Sequence, residues 1–261
     1  MPKLAANLSM LFTKAPFMER FALAAAAGFH AVEFLFPYEH DARAIAAELE
    51  RHRLELALFN TPPGDWDKGE RGLAALPGHR ERFRESLSQT LDYARVLKPR
   101  NIHCMAGIVP EGADRAMLEE TFIDNLCFAA DAAAGLGVRV LIEPLNPFDM
   151  PGYFLGSMEQ AAAILDRAGH DNLGLQYDIY HQSRTRGEIV ATFDRYKDRI
   201  AHIQIAGNPG RHEPDRGEVA YRFVLGEFDA RGYGGFVGCE YRPQGLTEEG
   251  LGWAREYLGQ G

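Results

Sequence analysis

VRVLIEPLN, residues 138–146, is a short apolar run that ends on a carboxylate, Glu143, and on turn-forming residues. Runs of this length bounded by turn signals suit strands buried on both faces, as the strands of a parallel sheet are. The same design recurs three times further along. LGLQYDIYH (173–181) carries Asp178, IAHIQIAGN (200–208) carries Gln204 and GFVGCEYRP (235–243) carries Glu240. These four side chains stand 35, 26 and 36 residues apart, about one strand-plus-helix unit each time. In a parallel barrel, inward side chains at the C-terminal strand ends converge on one small volume. A buried carboxylate is costly unless something compensates it. An all-oxygen set of Glu143, Asp178, Gln204 and Glu240 therefore predicts a hard divalent cation, Mg²⁺ or Mn²⁺, rather than zinc.

The rest of the chain follows the same alternation. LAANLSML (4–11) precedes a helical pattern over 16–28, AVEFLF (31–36) one over 42–53, and LELALFN (54–60) one over 80–97. NIHCMAG (101–107) precedes a helical pattern over 116–137, and the strand at 138–145 one over 157–169. The strands at 173–179, 201–207 and 236–241 precede helical patterns over 187–198, 220–232 and 249–259. Eight units in 261 residues average about 33 residues each, which predicts a (β/α)8 TIM barrel forming a single domain over 1–261. Gly28, Gly137, Gly169 and Gly232 stand where the apolar stripes stop and serve as C-terminal breakers. Two strand-to-helix loops are long, 61–80 and 208–219, and both are expected on the catalytic face as lid candidates.

A net charge of −9 argues against a nucleic-acid partner. No apolar run approaches membrane-span length, so no membrane partner is expected. Three cysteines, Cys104, Cys127 and Cys239, form no CxxC pair, and the opening MPKLAANLSMLF lacks a secretory pattern. The expectation is a cytoplasmic enzyme with free thiols, and a homo-oligomer would be ordinary for its kind.

Around the four ligands stand further candidates. His181 follows Asp178 by three and is expected to bond a ligand carboxylate or a substrate oxygen. Asn146 follows Glu143 by three and could bond a substrate hydroxyl. Arg211, beside His212 in the loop after the seventh strand, could hold a carboxylate bidentately. Glu33, Asn60 and His103 end the second, third and fourth strands and are expected to face the same mouth.

The strings VLIEPLN, LQYDIYH, HIQIAGNPGRHEP and GCEYRP resemble those of the hydroxypyruvate isomerase family, which includes 2-oxo-tetronate isomerases. That family falls in the wider sugar isomerase and epimerase barrel group, and the likeness runs from LAANLSMLF to the eighth strand. The resemblance implies that Glu143, Asp178, Gln204 and Glu240 ligate the divalent metal and that Glu143 and Glu240 are the proton-transfer pair. It also implies isomerisation of a small hydroxy-oxo acid through an enediolate. The alternatives are a ketose 3-epimerase, a sugar dehydratase, a DNA-repair nuclease and a non-catalytic sugar-binding barrel. Ketohexose 3-epimerases of the group are expected to carry His where this chain has Gln204, which puts the acid substrate in front.

Overall fold

The computed structural model describes residues 2–258, and among them the eight expected strands close into one parallel barrel in sequence order. The first half runs β1 (Lys3–Asn7), α1 (Arg20–Ala26), β2 (Ala31–Glu33), α2 (Ala42–His52), β3 (Glu55–Asn60), α3 (Arg80–Leu97), β4 (Asn101–His103) and α4 (Arg115–Ala134). The second half runs β5 (Arg139–Ile142), α5 (Met158–Ala168), β6 (Leu173–Asp178), α6 (Ile179–Thr185), α7 (Ile189–Tyr196), β7 (Ile200–Ile205), α8 (Tyr221–Ala230), β8 (Phe236–Cys239) and α9 (Thr247–Gly250). β1 pairs with β8 through Lys3–Phe236 to Ala6–Cys239, which closes the ring and leaves no free sheet edge.

Local chemistry explains where the helices begin and end. Asp41, Asp114 and Ser157 each accept a backbone N–H of the first turn of α2, α4 and α5. Gly28, Gly137, Gly169 and Gly232 all take positive φ, the conformation that lets a chain leave a helix without a Cβ penalty. The C-terminal helical pattern expected over 249–259 is reduced to α9 and a 3₁₀ turn at Leu251–Ala254, and residue 259 lies outside the described residues. Gly250 and Gly252 within that stretch weaken it as a helix. α6 is an addition that the periodicity did not foretell: it starts immediately at the end of β6, with no intervening loop.

Most of the apolar core lies between barrel and helices, with Phe21, Phe34, Phe59, Phe122, Phe193 and Phe228 fully buried. A separate small cluster of Ala5, Ala31 and Ala57, with Phe236 against it, lies toward the N-terminal end of the strands. Nearer the C-terminal strand ends the buried side chains become polar. Asn7, Glu33, His103, Gln176, Asp178, His202 and Gln204 are all buried. Cys239 is fully buried within the core shared with the helices, as expected of the neighbour of an inward Glu240.

Candidate active site

The strand ends carry their carboxylates into one cavity of about 870 Å³, lined among others by Asn60, His103, Glu143, His181, Arg211 and Glu240. Asp178 closes β6 and does two things at once. Its Oδ1 accepts the Tyr180 N–H at 2.7 Å and so caps α6, while Oδ2 is buried without a hydrogen bond. Glu143 Oε1 is likewise buried without one. Glu143, Asp178 and His181 each bring a potential ligand atom within 4.8 Å of the others. Arg211 Nη2 lies 3.1 Å from Glu240 Oε2 and 3.8 Å from Asp178 Oδ2.

The electrostatics follow from burial. Glu143 is held well above the ordinary carboxyl range by burial, then by repulsion from Glu240 and Asp178. Burial raises Glu240 to about 8 against the pull of Arg211, and raises Asp178 to about 6 against the same cation. Three carboxylates face one guanidinium. Among the described residues Arg211 is the one arginine or lysine within ion-pair distance of these acids, so three ionised carboxylates would meet a single paired cation, a local deficit that a divalent ion would fill. Unbonded buried oxygens and an all-oxygen donor set both fit Mg²⁺ or Mn²⁺.

His181 reports its own tautomer. Its Nδ1 accepts the Asn146 backbone N–H at 3.1 Å, so the proton sits on Nε2, 3.5 Å from Asp178 Oδ2 and 4.0 Å from Glu143 Oε1. Burial, with Arg211 and Arg184 nearby, depresses its pKa and keeps it neutral. The neutral ring points its Nε2–H toward the two acids without reaching hydrogen-bond contact with either oxygen. Asn146 does not reach the cavity. Its Oδ1 accepts from Phe148 N and Asp149 N, and its Nδ2 lies 2.6 Å from His181 Nδ1, so its work is to hold the imidazole. His103, with both ring nitrogens unbonded, and Asn60, with Oδ1 unbonded, do line the cavity as expected. Burial and the nearby His202 lower His103 to about 3, so that ring is neutral too.

Gln204 and Glu33 lie deeper than the sequence suggested. Glu33 is fully buried and does not line the cavity: its Oε1 accepts from Asn7 Nδ2 (2.9 Å) and Gln204 Nε2 (2.7 Å), and its Oε2 lies 2.6 Å from His202 Nε2. Gly238 makes the room, since a Cβ there would stand 2.2 Å from Glu33 Oε2. Gln204 Oε1 accepts from Gln176 Nε2 at 2.6 Å and keeps a second lone pair. Gln176 and His202 were missed, although each precedes a predicted ligand by two residues on the same strand face, as the period of a strand requires. The long loops also divide. The base of 61–80 is a fixed wall, with Leu73, Ala74 and Ala75 buried and Ala75 N bonded to Ala106 O, so only its tip has a lid's exposure. Trp66 and Arg71 from that tip, and Pro209 to Arg211 from the second loop, form part of the cavity wall.

A closed parallel barrel with acids at its C-terminal mouth defines a class, and the family model of the xylose isomerase-like TIM barrel matches residues 21–257. The chain belongs to that family. Within it, a 2-oxo-tetronate isomerase of Cupriavidus necator is 52% identical over 100% of both chains, and a hydroxypyruvate isomerase of Escherichia coli is 43% identical over 98% of this chain and 100% of its own. A solved structure from Brucella melitensis, called an AP endonuclease of family 2, superposes with a TM-score of 0.97 at 48% identity, covering 99% of this chain and 100% of that one. D-psicose 3-epimerase from Clostridium cellulolyticum shares the fold, with a TM-score of 0.78 at 16% identity over 95% of this chain and 89% of its own. The chain is an enzyme, an isomerase of this group. Among the described residues no helix is long and apolar enough to cross a membrane.

Proposed function

We propose that the protein is a divalent-metal-dependent isomerase of a small hydroxy-oxo acid, converting hydroxypyruvate to tartronate semialdehyde or acting on a 2-oxo-tetronate in the same way. The observation that carries this reading is the charge imbalance at the mouth, three buried acids against Arg211, in a chain whose full-length relatives bear those names. Glu143, Asp178, Gln204 and Glu240 would hold the Mg²⁺ or Mn²⁺ ion. Bound there, such an ion stabilises the negative charge that develops on the two substrate oxygens.

The chain's own groups move the protons. One of Glu143 and Glu240 takes a proton from C3 of hydroxypyruvate, leaving an enediolate, and a proton returns to C2 to give the aldehyde. The hydroxyl proton moves from O3 to O2 through the other carboxylate. The Nε2–H of His181 faces the carboxylates, and the unbonded atoms of Asn60 and His103 are available to substrate oxygens.

The test is a metal-stripped assay in D₂O. Chelator should abolish hydroxypyruvate conversion, Mg²⁺ or Mn²⁺ should restore it, and deuterium should enter the product by proton NMR. Conversion that persists at full rate in chelator would sink the metal reading. Turnover of D-fructose or D-tagatose but of no oxo acid would make the protein a ketose 3-epimerase.

A further inference from the structure

Four arginines line the cavity, Arg71, Arg184, Arg211 and Arg242, and they are differently employed. Arg211 spends its charge on Glu240 and Asp178. Arg184 gives Nη1 to Pro209 O, stacks near the Phe148 and Tyr180 rings and buries its Nε without a partner. Arg242 is exposed at the rim.

Arg71 is braced and yet unspent. Its guanidinium carbon lies 3.6 Å from the centroid of the Trp66 ring. Nη1 donates to the carbonyls of Trp66 (2.9 Å) and Glu70 (2.7 Å). Among the described residues nothing takes Nε–H or Nη2–H, and no carboxylate lies within ion-pair reach. Those two donors form the lateral fork of a guanidinium, the edge that matches a carboxylate. The neighbouring Glu70 is not a competitor, because Arg82 holds both its oxygens at 2.7 Å.

The backbone beneath Arg71 is equally fixed. Gly72 has φ +113° and lies so close to the fourth strand's loop that a Cβ would stand 2.4 Å from Met105 O. Gly72 N donates to Pro63 O at 2.7 Å, and Ala75 N to Ala106 O at 2.8 Å. A cation held this way loses little freedom on binding a ligand. An anionic substrate entering a cavity floored by acids needs such a cation on its wall, whereas a neutral keto-sugar does not.

We propose that Arg71 is the carboxylate clamp of this site, its Nε/Nη2 edge receiving the carboxylate of a small 2-oxo acid. The inference rests on the hydroxy-oxo acid reading above. It is tested with the Mn²⁺-loaded protein by calorimetric titration of tartronate, an unreactive hydroxy-diacid. Arg71→Met should bind tartronate about 10- to 100-fold more weakly than wild type, the loss of charged hydrogen bonds. Arg71→Lys, which keeps the charge and loses the fork, should fall between, and it serves alone if Arg71→Met fails to fold. Mn²⁺ affinity should be unchanged, and with hydroxypyruvate KM should rise by the larger factor while kcat moves little. Equal tartronate binding in wild type and both variants overturns the clamp, as does a loss that appears in Arg242→Met instead. A wild type that binds tartronate through Arg71 but turns over no hydroxy-oxo acid would leave the clamp standing and remove the proposed function.

Discussion

Glu143 and Glu240 carry opposite consequences for activity and for stability. Replacing either with Gln removes a proton carrier, and turnover should fall by about 10²–10⁴, the span expected for a lost acid–base group. The same replacement relieves a buried, repelling charge. Metal-free Glu143→Gln should therefore melt above metal-free wild type at pH 8, because burial and the facing acids oppose the charge of Glu143. A lower melting temperature in the variant would show that Glu143 is compensated by something other than an ion. His181 depends on Asn146 for its tautomer, so Asn146→Ala should lower kcat/KM by about 10- to 100-fold, the usual effect of losing a partner that orients a ligand-contacting imidazole. Steady-state kinetics at saturating Mn²⁺ separates that loss from weakened ion binding.

At the scale of elements, the site depends on how strands are cut and spaced. Asp178 ends β6 and caps α6 with one oxygen, which leaves the other unbonded beside Glu143, His181 and Arg211. β8 contributes through an absence: Gly238 leaves space for the Glu33 carboxylate, which in turn holds Gln204 and lies against His202. Gly238→Ala should cost about 1–3 kcal/mol, as overpacking of a filled core does. Urea unfolding of the metal-free protein measures it, and a loss under ~0.5 kcal/mol, within the range of ordinary surface substitutions, would mean that Glu33 can move aside.

The whole molecule couples these acids to pH. Asp178 and Glu240 hold protons in the folded state to about 6 and about 8, above the ordinary carboxyl range. Folding then binds protons, and their stabilising contribution is complete below the unfolded carboxyl range and is lost as pH rises through 6 and 8. The chelated protein should therefore melt at falling temperature from pH 5 to pH 9. Added Mn²⁺ should restore more at pH 8 than at pH 5, where protons compete with it. A melting temperature that rises over that range would contradict the assignment of these pKa values.

The sequence by itself determined the barrel, because eight apolar strands alternating with amphipathic helices admit few other closures. It also placed Glu143, Asp178, His181, Arg211 and Glu240 at one mouth, since strand ends in a parallel barrel share a rim. What each polar group bonds to was not legible, because those partners come from other strands and other loops. Glu33 and His202 are 169 residues apart and meet only inside the closed ring. Asn146, four residues beyond the end of β5, turns back on His181 through a loop whose path no spacing rule describes. Arg71 sits in a loop with no periodic signal, and its unspent fork exists only because Trp66, Glu70 and Arg82 occupy the surrounding partners. Local periodicity sets the architecture; the pairing of charges is a property of the tertiary structure, where distance in space replaces distance along the chain.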